Sequence, residues 1–217
     1  MLAKMKTITC IKCKNTYEVD HIDCIFSDED LSLQLKNHQF YANKCPNCQH
    51  VNIDVHDTLY INYQQNFIIC LLPNFKESDI QQAAVLNKLL SDNNIDNDFD
   101  YKRLTVDHIQ FVEKINILES ELDDRIVEIY KYLYKGKLLK DYPNINKILA
   151  YYTLDQQNAH LVFIADTADF HVVFDKELYD QIYSDFHIVL TKDDEYLLID
   201  DEWVRLFFEK LSDNGDN

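Results

Sequence analysis

The sequence predicts an α+β fold: a four-cysteine sheet with a helical insert, a long helix, and an acidic C-terminal α/β region. Three observations carry that expectation. Two Cys-x-x-Cys pairs, Cys10–Cys13 and Cys45–Cys48, sit among short segments in which apolar and polar residues alternate. Apolar residues at steps of three and four run from Ile109 to Leu133, the pattern of one amphipathic helix. Beyond it, short apolar runs of strand length lead into two helical patterns rich in carboxylates.

Taken in order, residues 6–9 read as a strand leading into the first cysteine pair, and residues 16–26 as a strand leaving it. Ser27 with Asp30 reads as a capping box for a short helix to about Asn37, with Leu31 and Leu35 facing the core. Residues 38–43 form a strand entering the second pair. Val51, Ile53 and Val55 alternate with Asn52, Asp54 and His56, as in a half-buried strand. The apolar run 67–72, stopped by Pro73, reads as a buried strand. Ser78 caps a helix to about Asp92, residues 93–100 are a polar loop, and 101–106 a strand. Asp107, with Gln110 three positions on, starts the long helix, whose stripe is Ile109, Val112, Ile115, Leu118, Leu122, Ile126, Ile129 and Leu133, with Gly136 as its stop. Strands follow at 148–153, 160–165 and 170–174, then a helix from Lys176. A strand at 196–199 precedes a final helix carrying Trp203, Leu206, Phe207 and Leu211. These elements divide into a cysteine domain over 1–75, its helical continuation over 76–136, and a C-terminal region over 137–217, with the break near residues 137–144.

The cysteine pairs are the strongest chemical signal. Each places two sulfurs on one tight turn, and two such turns supply the four thiolates that Zn²⁺ takes in a closed structural site. The predicted ligands are therefore Cys10, Cys13, Cys45 and Cys48, with His50 as an alternative to one of the sulfurs. The 31 residues between the pairs exceed the usual ribbon spacing, and the capped helix accounts for the excess. Cys24 lies in an alternating strand and Cys70 in an apolar one, and both read as core residues. Cys13 is followed by Lys14-Asn15-Thr16 and a strand, which disfavours a redox pair opening a helix.

Residues 7–73 resemble the CpXC family, named for two Cys-Pro-x-Cys motifs around a helical insert. Cys45-Pro46-Asn47-Cys48 matches in full, while Ile11 stands where the family has Pro, and Lys14 and Gln49 replace the Gly that often follows a pair. Ile117-Leu118-Glu119 and Leu122-Asp123-Asp124-Arg125 resemble the family's following helix, so the likeness covers roughly residues 1–135. It implies a zinc-ribbon-like fold and no particular activity.

Charge narrows the functions. The chain of 217 residues carries a net charge of −17. Residues 137–217 hold 7 basic against 17 acidic residues, a net of −10, and no segment is basic. Nucleic acids and anionic membrane surfaces are therefore disfavoured as partners. No apolar run reaches membrane-spanning length and no secretory leader is visible, which points to the cytoplasm, where paired cysteines hold metal more often than disulfides. Two Gly leave little for phosphate loops, the eight His make no metalloprotease pair, and no nucleophile elbow occurs.

Two acidic groups remain as candidate partner contacts. Asp123, Asp124 and Arg125, with Glu119, Glu121 and Glu128, read either as a contact site or as a solvated face in which Glu121 pairs with Arg125. Asp193, Asp194 and Glu195, with Asp200, Asp201 and Glu202, flank an apolar stretch and could steer a basic protein. The function expected is a non-catalytic, zinc-stabilised binding or adaptor module with a protein partner. The alternatives are an enzyme with a dispersed C-terminal site and an acidic, immunity-like inhibitor of a basic partner.

Overall fold

The four-cysteine region is built from two hairpins of the same design. Strands β1 (Lys4–Thr9) and β2 (Thr16–His21) pair antiparallel from Lys4↔His21 to Thr9↔Thr16, and the turn 10–15 holds the first cysteine pair. Strands β4 (Ala42–Lys44) and β5 (Val51–Ile53) pair from Ala42↔Ile53 to Lys44↔Val51, and the turn 45–50 holds the second. The computed structural model describes residues 4–75, 82–96, 98–155, 158–190 and 197–215. Among them it shows a mixed α+β chain with six helices and several sheets, divided into two compact units, Met1–Val112 and Glu113–Asn217.

In the first unit, the predicted strand over 16–26 is two strands. The chain leaves the hairpin at Ile22 and enters a second sheet as β3 (Cys24–Phe26). Helix α1 (Asp30–Lys36) follows, and it lacks the predicted box: Glu29 occupies the N-cap with no side-chain cap bond. Leu35 is buried, and Ser32 is too, its hydroxyl 2.9 Å from that of Tyr60. The second sheet has the order β3-β6-β7-β8, with β6 (Thr58–Asn62), β7 (Phe67–Leu71) and β8 (Tyr101–Thr105). β7 is the buried strand expected from its continuous apolar run, while β6, whose Thr and Asn ends hide it, escaped the sequence reading. Cys24 and Cys70 both face Leu59 in register from opposite sides, so a whole strand separates them. Burial pushes the Cys24 thiol up to about 12 and that of Cys70 up as well, as suits inert core residues. Helix α2 (Gln82–Asp92) precedes β8, and the Ser78 cap falls outside the described residues.

The single long helix of the sequence reading is two helices, α3 (His108–Glu119) and α4 (Asp124–Asp141). Asp107 caps the first as expected, its Oδ1 accepting from the Ile109 and Gln110 N–H groups. The break is a Schellman turn. Glu121 is left-handed at φ 57°, its N–H donates to the Leu118 carbonyl, and the Leu122 N–H donates to the Ile117 carbonyl. Ile117 and Leu122, the apolar pair that accompanies this motif, both lie in the second unit's core. Gly136 then sits inside α4, where nothing crowds its Cα, and the break read near 137–144 lies within the second unit.

The second unit stacks α4 with an antiparallel sheet of order β11-β10-β9 and two further helices. Its strands are β9 (Ile148–Asp155), β10 (Asn158–Ala165) and β11 (Asp169–Val173), all near their predicted places. Helices α5 (Lys176–Leu190) and α6 (Asp201–Gly215) are capped by Asp175, which accepts from the Glu177 N–H, and Asp200, which accepts from the Trp203 N–H. Leu197–Ile199, read as strand, are buried but irregular. Ile126, Tyr152, Phe163, Ile182, Trp203 and Phe207 join one core.

Candidate metal centre

Each cysteine pair is shaped by its own backbone. In the first turn the Cys10 N–H donates to the Asn15 carbonyl at 2.8 Å and the Lys14 N–H to the Cys10 carbonyl at 3.0 Å. In the second, the Cys45 N–H donates to the His50 carbonyl at 2.8 Å and the Gln49 N–H to the Cys45 carbonyl at 2.9 Å. The residue after each pair is left-handed, Lys14 at φ 61° and Gln49 at φ 62°. This is the conformation glycine adopts without cost and other L-residues resist.

The two turns face one another. Cys10 Sγ lies 3.6 Å from Cys48 Sγ, and Cys13 Sγ lies 3.6 Å from Cys45 Sγ. Four thiolates about 2.3 Å from a tetrahedral ion stand about 3.8 Å apart, so the spacing fits. Among the described residues these four sulfurs form one group able to hold a metal ion, and His50 is not a member of it. Cys10 and Cys45 are fully buried, while Cys13 and Cys48 reach the surface.

The electrostatics ask for a cation. The Cys13 backbone N–H, aided by that of Lys12, draws the Cys10 thiol down to about 6 despite its burial. The Asn15 N–H draws Cys13 down likewise. Cys48 is pushed up to about 12: the His50 N–H favours its thiolate, but burial and the other three sulfurs outweigh it. The turns thus prepare thiolates that repel one another unless a positive ion sits among them.

Asn52 braces the pair of turns. Its Oδ1 accepts from the Ile11 N–H at 3.0 Å, and its Nδ2 donates to the Tyr17 hydroxyl at 2.9 Å, which in turn donates to the Asn43 carbonyl. Asn52 is therefore buried, whereas Val51 is 48% and Ile53 60% exposed. The alternation predicted for this strand is real, but its sense is reversed, because a polar residue is needed on the inner face to tie the hairpins together.

The other candidates lie elsewhere. Asp123 caps α4, accepting from the Arg125 N–H, and also grips the Arg125 guanidinium at 2.7 Å. Arg125 further donates to the Leu190 carbonyl. Asp124 is fully buried against Lys114, and Glu128 is buried between Lys114 and Lys131. The solvated face with a Glu121–Arg125 pair is thereby corrected: Arg125 pairs with Asp123, the turn at Glu121 ends the helix, and Asp124, Arg125 and Glu128 are buried while Glu121 stays exposed. Asp193, Asp194 and Glu195 lie outside the described residues.

Two facing cysteine turns on hairpin tips, followed by a mixed sheet, define a module whose four clustered thiols could hold a metal ion. The sequence profile described as CpXC protein matches residues 8–131, more than half of the chain, and the chain belongs to that family. No curated protein and no solved structure matches it. No described helix is long and apolar enough to cross a membrane.

Proposed function

We propose that the chain is a zinc-stabilised, non-catalytic adaptor that binds a basic protein partner in the cytoplasm. The observation that carries this reading is the closed set of sulfurs, paired at 3.6 Å, which fills a tetrahedral zinc ion and leaves no position for substrate. Zinc is the metal favoured by four thiolates at this spacing, and a reducing compartment keeps them available. A metal used this way holds a shape, and the shape presents a surface. The net charge of −17, concentrated in residues 137–217, supports a basic partner and argues against nucleic acid and anionic membranes.

The test is association kinetics of the full chain with a captured basic protein across a salt series. Binding falls as salt rises, since acidic steering is screened over about 8–10 Å. Replacing Asp193 and Asp194 by Asn and Glu195 by Gln slows association more than it changes dissociation. Capture that is indifferent to salt, or a shift of nucleic acid by the isolated chain, overturns the reading.

A further inference from the structure

A second cluster of ligand-type side chains lies in the first unit, outside the cysteine turns. His21 ends β2, and Asp54 and His56 follow β5. The two imidazole rings stand 4.1 Å apart between centroids. His56 Nδ1 is 2.9 Å from the Asp54 backbone oxygen, and its Nε2 is 3.0 Å from the Ile22 backbone oxygen. A neutral imidazole has one N–H and one lone pair. With a carbonyl oxygen against each nitrogen, one of those contacts sets lone pair against lone pair unless a positive charge lies there. His21 shows a separate defect: its Nδ1 is buried and finds no hydrogen-bond partner among the described residues.

We propose that His21, Asp54 and His56 form a second metal site, for a divalent cation of the zinc class, independent of the four cysteines. One ion takes the lone pair of His21 Nδ1, and the His56 ring, which cannot donate from both nitrogens while neutral, gives up one carbonyl contact and turns that lone pair toward the ion. The Asp54 carboxylate, 3.9 Å from His56 Nδ1, supplies the negative donor. One ligand atom from each residue lies within 4.8 Å of the others. Ligands around zinc stand about 3.3–3.4 Å apart, so a modest turn of the rings closes the set. Imidazole and carboxylate are donors that zinc, cobalt and nickel accept, and three protein donors leave a position for water, unlike the closed cysteine site.

Lys6 is the competitor. Its ammonium bonds both Asp54 oxygens, at 2.9 and 2.8 Å, from a side chain 38% exposed. An ammonium and a divalent ion on one carboxylate repel, so metal entry turns Lys6 out to solvent.

The test is equilibrium dialysis of the full chain against zinc with elemental analysis, repeated with cobalt. Wild type retains two ions per chain, His21→Ala and His56→Ala retain one, and Cys10→Ser/Cys45→Ser loses only the other. Cobalt at the second site adds no thiolate charge-transfer band. Lys6→Gln, which removes no donor, binds the second ion about tenfold tighter or more, because the competing charge is gone. Saturation at one ion that the cysteines alone hold overturns the proposal, as does a second ion indifferent to both histidines. Should the histidine variants fail to fold, unchanged second-site affinity in Lys6→Gln overturns it. A single ion lost with the histidines but kept without the cysteines supports this site and instead sinks the four-cysteine reading.

Discussion

Lys131→Met is expected to destabilise the second unit by about 3–5 kcal/mol, whereas Glu113→Gln changes it by less than about 1 kcal/mol. The asymmetry follows from the charge count inside this unit. Glu113, Asp124 and Glu128 are paired with Lys114 and Lys131, and all five side chains are at most 4% exposed. Lys131 Nζ lies 2.7 Å from Glu113 Oε1 and 2.9 Å from Glu128 Oε1, and Lys114 Nζ lies 2.8 Å from Glu128 and 3.3 Å from Asp124. Removing Lys131 leaves Glu113 with the Tyr152 N–H as its donor among the described residues and burdens Lys114 with two carboxylates. Removing the charge of Glu113 instead brings the group to neutrality. Its Oε1 partners survive in Gln, and its Oε2 has no partner to lose among the described residues.

The pH dependence has a definite sign. Burial, reinforced by Glu128, raises Glu113 above the usual glutamate range even though Lys131 opposes the shift. A folded-state pKa above the unfolded one gives stability that is present below about pH 4.3 and is lost as pH rises toward the folded value. Burial works against the Glu128 carboxylate too, but Lys114 and Lys131 outweigh it and lower its pKa, so its contribution is lost only as pH falls. As pH rises from about 4.3 toward the folded-state value of Glu113, then, this residue's contribution to stability is lost, and Glu113→Gln removes that part of the slope. Trp203, the one tryptophan of the chain, is buried in this unit's core and reports its unfolding in urea by fluorescence. Equal costs for Lys131→Met and Glu113→Gln, or an unchanged slope with pH in the latter, would refute the reasoning.

Other expectations concern the cysteine turns. Cys45→Ser lowers the melting temperature of the first unit and abolishes stoichiometric metal at the cysteines in elemental analysis, since structural zinc contributes an apparent ~10–16 kcal/mol. Lys14→Gly and Gln49→Gly each stabilise by about 0.5–1 kcal/mol in thermal unfolding, the ~1–2 kcal/mol of left-handed strain being partly offset by glycine's greater freedom when unfolded. Asn52→Ala strands the Ile11 N–H and costs about 1–3 kcal/mol, read as faster loss of metal to a chelator.

How much of this was legible in the sequence differs by type of interaction. The clustering of the four cysteines was readable because their spacing is local: a Cys-x-x-Cys turn sets its geometry within six residues, as the Cys10–Asn15 and Cys45–His50 bonds show. Most strands and helices were readable from apolar periodicity, including β7 and the hairpins β9–β10–β11. The failures have two causes. Glu121 ends α3 although no glycine marks the turn, Asn52 faces inward although polar, and Asp124 and Glu128 are buried although charged. Asn52, Asp124 and Glu128 take places that their own chemistry disfavours because partners remote in sequence require it, whereas Glu121 is held left-handed by the local bonds of the turn to Leu118 and Ile117. The signal that could have found Glu128 was Lys131 at i,i+3, but Lys114 is fourteen residues away and Glu113 is eighteen from Lys131.

The extent of the family match adds a last step. It begins at residue 8, just before Cys10, and ends at residue 131, the lysine that closes the ion network. Within the second unit, the matched part is α3 from Glu113 and the first half of α4, and over 124–131 that helix is buried on every side. A helix surrounded in this way must neutralise its charges internally, since water is not there to do so. Its cover comes from beyond the match: Tyr152, Phe163, Ile182 and Trp203 all lie in the core that encloses Ile126 and Ile129. The network and its enclosure are therefore specified by different stretches of chain. A chain cut after Lys131 would keep every charged partner and lose the apolar wall and the Tyr152 N–H that holds Glu113. The five charges would then be hydrated, where such pairs contribute little, and the α3–α4 pair would lose its reason to stay packed. The four-cysteine turns, which draw no bond from residues past Asn52 among those described, should still take up metal in that truncated chain. Loss of metal on cutting at Lys131 would show that the two units are not separable in this way.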